Sequence, residues 1–229
     1  MPLPPPFPPD CRLVVFDLDG TLYRQSKLRW VMLRELLTEG GAGKLARIRD
    51  LGRFRALREA MSDAGQPGFD ADLFHRAAAA TGRTEAQMRA LVQHWMEERP
   101  LRHLRAARVD GAAELFDALR ARGITLAIWS DYPVAAKRAA LGLKVDLSLA
   151  ATDPDLDTLK PNPLGLAMLM ERAGCQPHQT LLVGDRMSRD GQAAAALGVA
   201  FLLRSAKAGP PGVARVADFT ALAQAVQSS

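Results

Sequence analysis

The sequence predicts an α/β fold: a parallel sheet with helices on both faces, interrupted after its first strand by an all-helical insertion. Three observations carry this. Short apolar runs of strand length recur at 11–16 (CRLVVF), 124–129 (ITLAIW), 145–151 (VDLSLAA), 180–183 (TLLV) and 198–203 (GVAFLL). Helical patterns separate the later runs, giving a β-α-β-α-β order that implies parallel pairing. The stretch from 24 to about 108 is far longer than the dozen or so residues a parallel crossover needs, and its texture is helical.

At the N-terminus, residues 1–10, MPLPPPFPPD, read as a short extended tail, with neither the basic start nor the apolar core of a secretion signal. The first strand, 11–16, runs straight into Asp17 and Asp19. Helices are expected at 27–39, 44–62, 69–80 and 84–97, separated by GGAG and DAGQPG. The last opens with a Thr84/Gln87 capping-box pattern and puts Met88, Leu91, Val92, Trp95 and Met96 on one stripe, the signature of core packing. Asp110 suits the N-cap of a helix carrying Ala112, Leu115, Phe116 and Leu119 and closed by Gly123. Asn162 and Pro163 suit the N-cap and first position of a helix ended by Gly174. The expected division is a core of 11–23 with 109–229, and a helical domain of 24–108.

Composition narrows the class. With 229 residues and 48% hydrophobic content the chain can bury a substantial core. No run approaches the length of a membrane span, and Cys11 and Cys175 lack metal-type spacing, so a cytoplasmic protein with reduced thiols is expected. The net charge of +5 is uneven: residues 24–108 hold 17 Lys+Arg against 10 Asp+Glu. Such a surface could attract nucleic acid, acidic lipid or a small anion, or could be solvated helix faces. The four histidines, His75, His94, His103 and His178, show no ligand or triad spacing.

The chemistry is suggested by the polar residues at the ends of the apolar runs. Ligands of an open parallel sheet bind at the carboxyl ends of its strands. Asp17 and Asp19 come after the first run, Ser130 and Asp131 after the second, and Asp185 after TLLVG with Asp190 five residues later; Lys160 lies in LKPNP. Clustered carboxylates repel unless neutralised, and all-oxygen ligands suit a hard cation such as magnesium. Magnesium with a lysine and a hydroxyl suits a phosphoryl group whose transition state develops charge.

Four stretches together resemble the haloacid dehalogenase-like (HAD) hydrolase superfamily over nearly the whole chain. DLDGTL is similar to its first motif, DxDGT; Ser130 matches the hydroxyl residue of the second; Lys160 before Pro161 matches the third; GDRMSRD, 184–190, matches the GDxxxxD form of the fourth. The resemblance implies a three-layer, Rossmann-like core with a helical cap. It implies Asp17 as nucleophile, forming an aspartyl phosphate, and Asp19 as general acid and then base. Magnesium would be held by the Asp17 carboxylate, the Asp19 backbone carbonyl and Asp185, with Asp190 close by. Ser130 would bind the phosphoryl oxygens, Lys160 would offset charge on nucleophile and phosphate, and backbone amides around Leu18 and Asp131 would complete the anion cradle. Thr21 would support the loop.

The acid at Asp19 points to the phosphoryl-transfer branch, because dehalogenation needs neither that acid nor a metal. A helical insertion directly after the first motif resembles the cap of the phosphoglycolate phosphatase and β-phosphoglucomutase subfamily. The expected function is therefore a magnesium-dependent phosphatase of a small anionic phosphorylated metabolite, with no nucleic-acid or membrane partner. A phosphomutase, or a non-catalytic HAD-fold protein binding phosphate or a partner, is the alternative. Two positions depart from the family pattern: SDYP has Asp131 where Asn is common, tuning substrate choice or pointing away, and KPNP has Asn162 in place of Asp. Because the excess charge is confined to 24–108, Arg24, Lys27 or Arg47 are expected to face the site and admit the anion.

Overall fold

The computed structural model describes residues 3–39, 41, 43–64 and 68–228. Six strands, β1 (Leu13–Phe16), β2 (Thr125–Ser130), β3 (Leu147–Ala150), β4 (Thr180–Gly184), β5 (Ala200–Arg204) and β6 (Arg215–Val216), form one sheet in the order β3-β2-β1-β4-β5-β6. Every pairing is parallel. Each of the five predicted runs coincides with a strand, β2, β4 and β5 running one residue further, and β6 is a two-residue addition at the edge.

Helices α1 (Gln25–Glu39), α2 (Lys44–Ala64), α3 (Phe69–Thr81), α4 (Glu85–Val92) and α5 (Leu101–Ala107) fill the long segment after β1. The others, α6 (Ala112–Ala121), α7 (Ala135–Leu141), α8 (Leu164–Ala173), α9 (Gln192–Ala196) and α10 (Thr220–Ser228), cover the sheet. The result is the three-layer, Rossmann-like α/β arrangement. Gly40 and Ala42 of the GGAG break, and 65–67 of the second break, lie outside the described residues.

β1 is buried on both sides, which its unbroken apolar sequence requires. Val14, Phe16, Ile128 and Val183 pack on the face covered by Phe116 of α6 and Phe219. Leu13, Val15, Trp129 and Leu182 pack on the opposite face, under Leu166 and Leu169 of α8 and Ala193 of α9. The first apolar cluster does not stop at the sheet. It continues through Leu22 and Tyr23 into Leu28, Met32, Phe54, Met88 and Trp95, so the inserted helices share a core with the sheet face.

Local chemistry explains several boundaries and corrects others. The Thr84/Gln87 capping box forms, Met88, Leu91, Val92 and Trp95 are buried, and Met96 is half-buried. Beyond Val92 the helix widens into a π-helical turn at Gln93–Glu98 rather than running on unchanged. Asp110 does not cap α6. Gly111 occupies the N-cap, and the Asp110 carboxylate pairs with Arg24 at 2.5 Å instead. Pro163 takes the N-cap of α8, while Asn162 caps from one residue earlier, its Oδ1 accepting from the Leu164 amide at 3.0 Å. Residues 3–10 are not an extended tail: the chain turns back with Phe7 N–H on the Pro4 carbonyl and Cys11 N–H on the Pro8 carbonyl, and burial of the apolar Leu3 and Phe7 side chains against the core favours this path. Cys11 and Cys175 are free and buried. No helix among the described residues is long and apolar enough to cross a membrane.

Candidate active site

Parallel register brings the sequence-distant acids to one rim. Phe16 pairs with Ile128 on one side and with Val183 on the other, so Asp17 is level with Trp129 and Gly184, and Ser130 and Asp185 follow one residue further along the same rim. The strand order reverses between β1 and β4, the position at which open α/β sheets form a ligand crevice.

Lys160 organises the carboxylates. Its Nζ, 1% exposed as a side chain, donates to Asp17 Oδ1 at 2.7 Å, to Asp190 Oδ1 at 2.8 Å and to the Trp129 carbonyl at 2.9 Å. Burial works against the ammonium, but Asp17, Asp190 and Asp131 outweigh it and hold Lys160 charged. Burial pushes the Asp17 carboxyl above the usual carboxylate range, with Asp190 and Asp185 adding to it against the pull of Lys160. Burial, then Asp190, likewise pushes half-buried Asp185 up to about 6.

Two glycines allow the acids to crowd. A Cβ at Gly20, whose φ is +105°, would lie 2.1 Å from Asp185 Oδ2; one at Gly184 would lie 2.4 Å from Asp190 Cγ. The glycines of DxDGT and GDxxxxD therefore have a steric reason, independent of any resemblance.

Asp19 faces a different set of partners from Asp17. Its carboxylate accepts from Lys137 Nζ, from the Tyr23 hydroxyl and, at 3.0 Å, from Ser130 Oγ. Burial raises its pKa, but the Lys137 ammonium and these hydrogen bonds together hold it below the ordinary carboxylate value. Ser130 is fully buried and also accepts from the Tyr132 amide. Leu18 is fully buried, so it has only backbone to offer a ligand. Thr21 Oγ1 is buried without a hydrogen-bond partner among the described residues, so its hydroxyl does not brace the loop as expected. Asp131 lines the site cavity, and its Oδ1 is engaged by the Lys160 amide at 3.0 Å.

A cavity of about 110 Å³ lies over Asp17, Asp19, Lys160, Asp185 and Asp190. Its far wall comes from α1 and α2, and the basic residues there are Arg29, Arg55 and Arg58. Arg24, Lys27 and Arg47 do not line it. Arg24 is drawn to Asp110 and the Arg108 carbonyl, and Lys27 donates to the Ala106 carbonyl at 3.1 Å, so both tie α1 to the end of α5. None of the four histidines lines it. Ser62 donates to the Lys160 carbonyl, Arg58 to the Asp131 carbonyl, and Glu59 pairs with Arg186 and Arg189, so one face of α2 is fastened to the loops carrying the acids.

Tyr23, Lys137, Glu59, Ser62, Arg186 and Arg189 were not among the residues expected from sequence. Arg55, Arg58 and Ser62 do recur at helical spacing, on the same face of α2 as the buried Leu51 and Phe54. That pattern could have marked them, whereas nothing in sequence links Lys137 to Asp19.

Carboxylate oxygens of Asp17, Asp185 and Asp190 lie within 4.8 Å of one another. Asp17 Oδ2 is buried with no hydrogen-bond partner among the described residues. An unpartnered carboxylate oxygen inside a cluster of three acids fits a hard, oxygen-seeking cation. The Asp19 carboxylate is outside this cluster, so Asp19 could reach such an ion only through its backbone.

The sequence model of the haloacid dehalogenase-like hydrolases matches residues 11–198. Two phosphoglycolate phosphatases are similar in sequence. That of Rhodospirillum rubrum is 30% identical over 183 residues, 76% of this chain and 71% of its own length. That of Xylella fastidiosa is 31% identical over 199 residues, 82% and 77% respectively. Among solved structures, a 2-haloacid dehalogenase from Pseudomonas syringae superposes with a TM-score of 0.60 at 20% identity, covering 95% of this chain and 99% of that one. The last likeness is one of fold alone.

Proposed function

The chain belongs to the haloacid dehalogenase-like hydrolase family, and from that premise we propose that it is a magnesium-dependent phosphatase of a small phosphorylated metabolite. The observation that carries this reading is the asymmetry of the two acids of DLDGTL. Asp17 has one oxygen on Lys160 and the other unpartnered within an acidic cluster, while Asp19 is held apart by Lys137, Tyr23 and Ser130. A dehalogenase needs no second acid or metal cluster; phosphoryl transfer uses both. The names of the two sequence relatives make phosphoglycolate the first substrate to try.

In this mechanism Asp17 attacks phosphorus through a carboxylate oxygen while the bond from phosphorus to the leaving oxygen breaks. Lys160 orients Asp17 and offsets part of the cost of its charge. Asp19 rests as a carboxylate, so it takes up the proton that a phosphomonoester monoanion carries and passes it to the leaving oxygen. Asp19 then removes a proton from the water that attacks the aspartyl phosphate and returns it to the departing inorganic phosphate, so that Asp17 and Asp19 are both regenerated as carboxylates. Asp17, Asp185 and Asp190 would hold the metal, which when bound supplies positive charge against the phosphoryl oxygens. Ser130 and the backbone around Leu18 and Asp131 bind those oxygens, and α1 and α2 act as a cap that excludes water.

The test is hydrolysis of a panel of phosphate esters, with and without magnesium, by the native protein and by Asp17→Asn. Magnesium-dependent turnover that vanishes in the variant is the expected result. Turnover surviving the substitution would remove Asp17 from the nucleophile role, and no turnover of any ester would leave a phosphate-binding protein.

A further inference from the structure

Two guanidiniums over the acids have no anion. Arg29 of α1 and Arg55 of α2 line the cavity, yet neither forms a hydrogen bond or ion pair with any described residue. Their neighbours are all committed: Arg58 donates to the Asp131 carbonyl, and Arg186 and Arg189 pair with Glu59. The same two arginines line an adjoining recess of about 60 Å³, beside Asp19, Leu28 and Leu104, and a chamber of about 190 Å³ within the inserted helices. They are thus common to all three spaces, a waist between the catalytic acids and an apolar cleft lined by Met32, Leu33, Leu36, Ile48, Leu51 and Trp95.

That lining rejects some leaving groups and fits others. The chamber offers no side-chain acceptor, its charged lining being the two guanidiniums, so the hydroxyl protons of a sugar would find no partner on its walls. Arginine forks match a planar carboxylate, and apolar walls match a hydrocarbon. Resting on the phosphatase reading above, we propose that the leaving group is a hydroxy acid with an apolar side chain. Its carboxylate lies between Arg29 and Arg55 and its alkyl body enters the chamber. This extends beyond glycolate, which has no side chain to fill that space.

Binding and turnover test this separately. Calorimetry on Asp17→Asn protein compares 2-phosphoglycolate, the O-phosphate of 2-hydroxy-4-methylpentanoate, 3-methylbutyl phosphate and glucose 6-phosphate. The branched hydroxy-acid phosphate is expected to bind roughly tenfold tighter than either phosphoglycolate or 3-methylbutyl phosphate, each of which lacks one of its two recognition groups. Arg29→Met with Arg55→Met should erase its advantage over 3-methylbutyl phosphate. Leu33→Trp, at a half-buried chamber position, should erase its advantage over phosphoglycolate. Equal or tighter binding of phosphoglycolate or glucose 6-phosphate overturns the proposal. If the native protein hydrolyses none of these, nor p-nitrophenyl phosphate, with magnesium, the phosphatase reading fails while the binding order still decides the ligand class. If p-nitrophenyl phosphate is hydrolysed and the binding order is absent, the hydroxy-acid inference alone fails.

Discussion

Lys160 Nζ lies 2.7 Å from Asp17 Oδ1 across 143 positions of sequence, and the same nitrogen reaches Asp190 at 2.8 Å. One buried cation therefore serves two carboxylates. Removing it strands both charges, which in buried pairs costs about 3–5 kcal/mol. Lys160→Met is expected to lower the urea midpoint accordingly, and Lys160→Met with Asp190→Asn to recover part of the loss. A Lys160→Met protein as stable as the native one would show that the pair is not coupled in this way.

The close approach of Gly20 to Asp185 predicts a position-specific sensitivity. Gly20→Ala adds a methyl where Asp185 Oδ2 already lies, at a φ that L-residues avoid. A stability loss of about 1–3 kcal/mol is expected from the backbone strain. Magnesium affinity should fall with it, because Asp185 must move. Thermal denaturation and metal titration of the variant check both.

Metal binding should be visible without any substrate. Magnesium at one hundred times its dissociation constant would stabilise the protein by about 2.7 kcal/mol. The thermal shift should disappear in Asp185→Asn, which removes one of the three clustered carboxylates. A full shift in that variant would place the ion elsewhere.

Lys137 holds Asp19 in place and so should affect rate more than binding. Lys137→Met is predicted to lower kcat roughly 10- to 100-fold, part of what a positioned acid–base group contributes, with a smaller change in KM. Lys137→Arg should restore some of it. A change confined to KM would assign Lys137 to substrate contact.

Glu59 predicts a pH dependence with a definite sign. Hydrogen bonds from Arg186, opposed by partial burial, depress its pKa from 4.5 to about 2. A depressed folded value contributes stability above the unfolded pKa and loses it as pH falls through the folded one. The Tm difference between native protein and Glu59→Gln should therefore be constant above about pH 5 and vanish between about 4.5 and 2. The side chain is half exposed, so the difference should be small and shrink further in high salt.

How far each feature could be read in advance depends on its range along the chain. The strands were legible because an apolar run of four to six residues announces its own burial, and the acids because they stand at the ends of those runs. Local pattern was enough to place Asp17, Ser130, Lys160 and Asp185 after or beside strands of a parallel sheet, since topology then carries them to one edge whatever the loops do. It could not say which of seventeen cations in 24–108 face that edge. The confinement of excess charge to that segment points to Arg24 and Lys27 no more than to the others, and Asp110 and the Ala106 carbonyl claim these two instead. Arg29 and Arg55 face the acids because Leu28, Met32, Leu51 and Phe54 turn inward and rotate α1 and α2 about their axes. That rotation, like the Lys137 contact to Asp19, was settled only by packing in three dimensions, because each depends on how two separately folded surfaces meet rather than on any spacing within one segment.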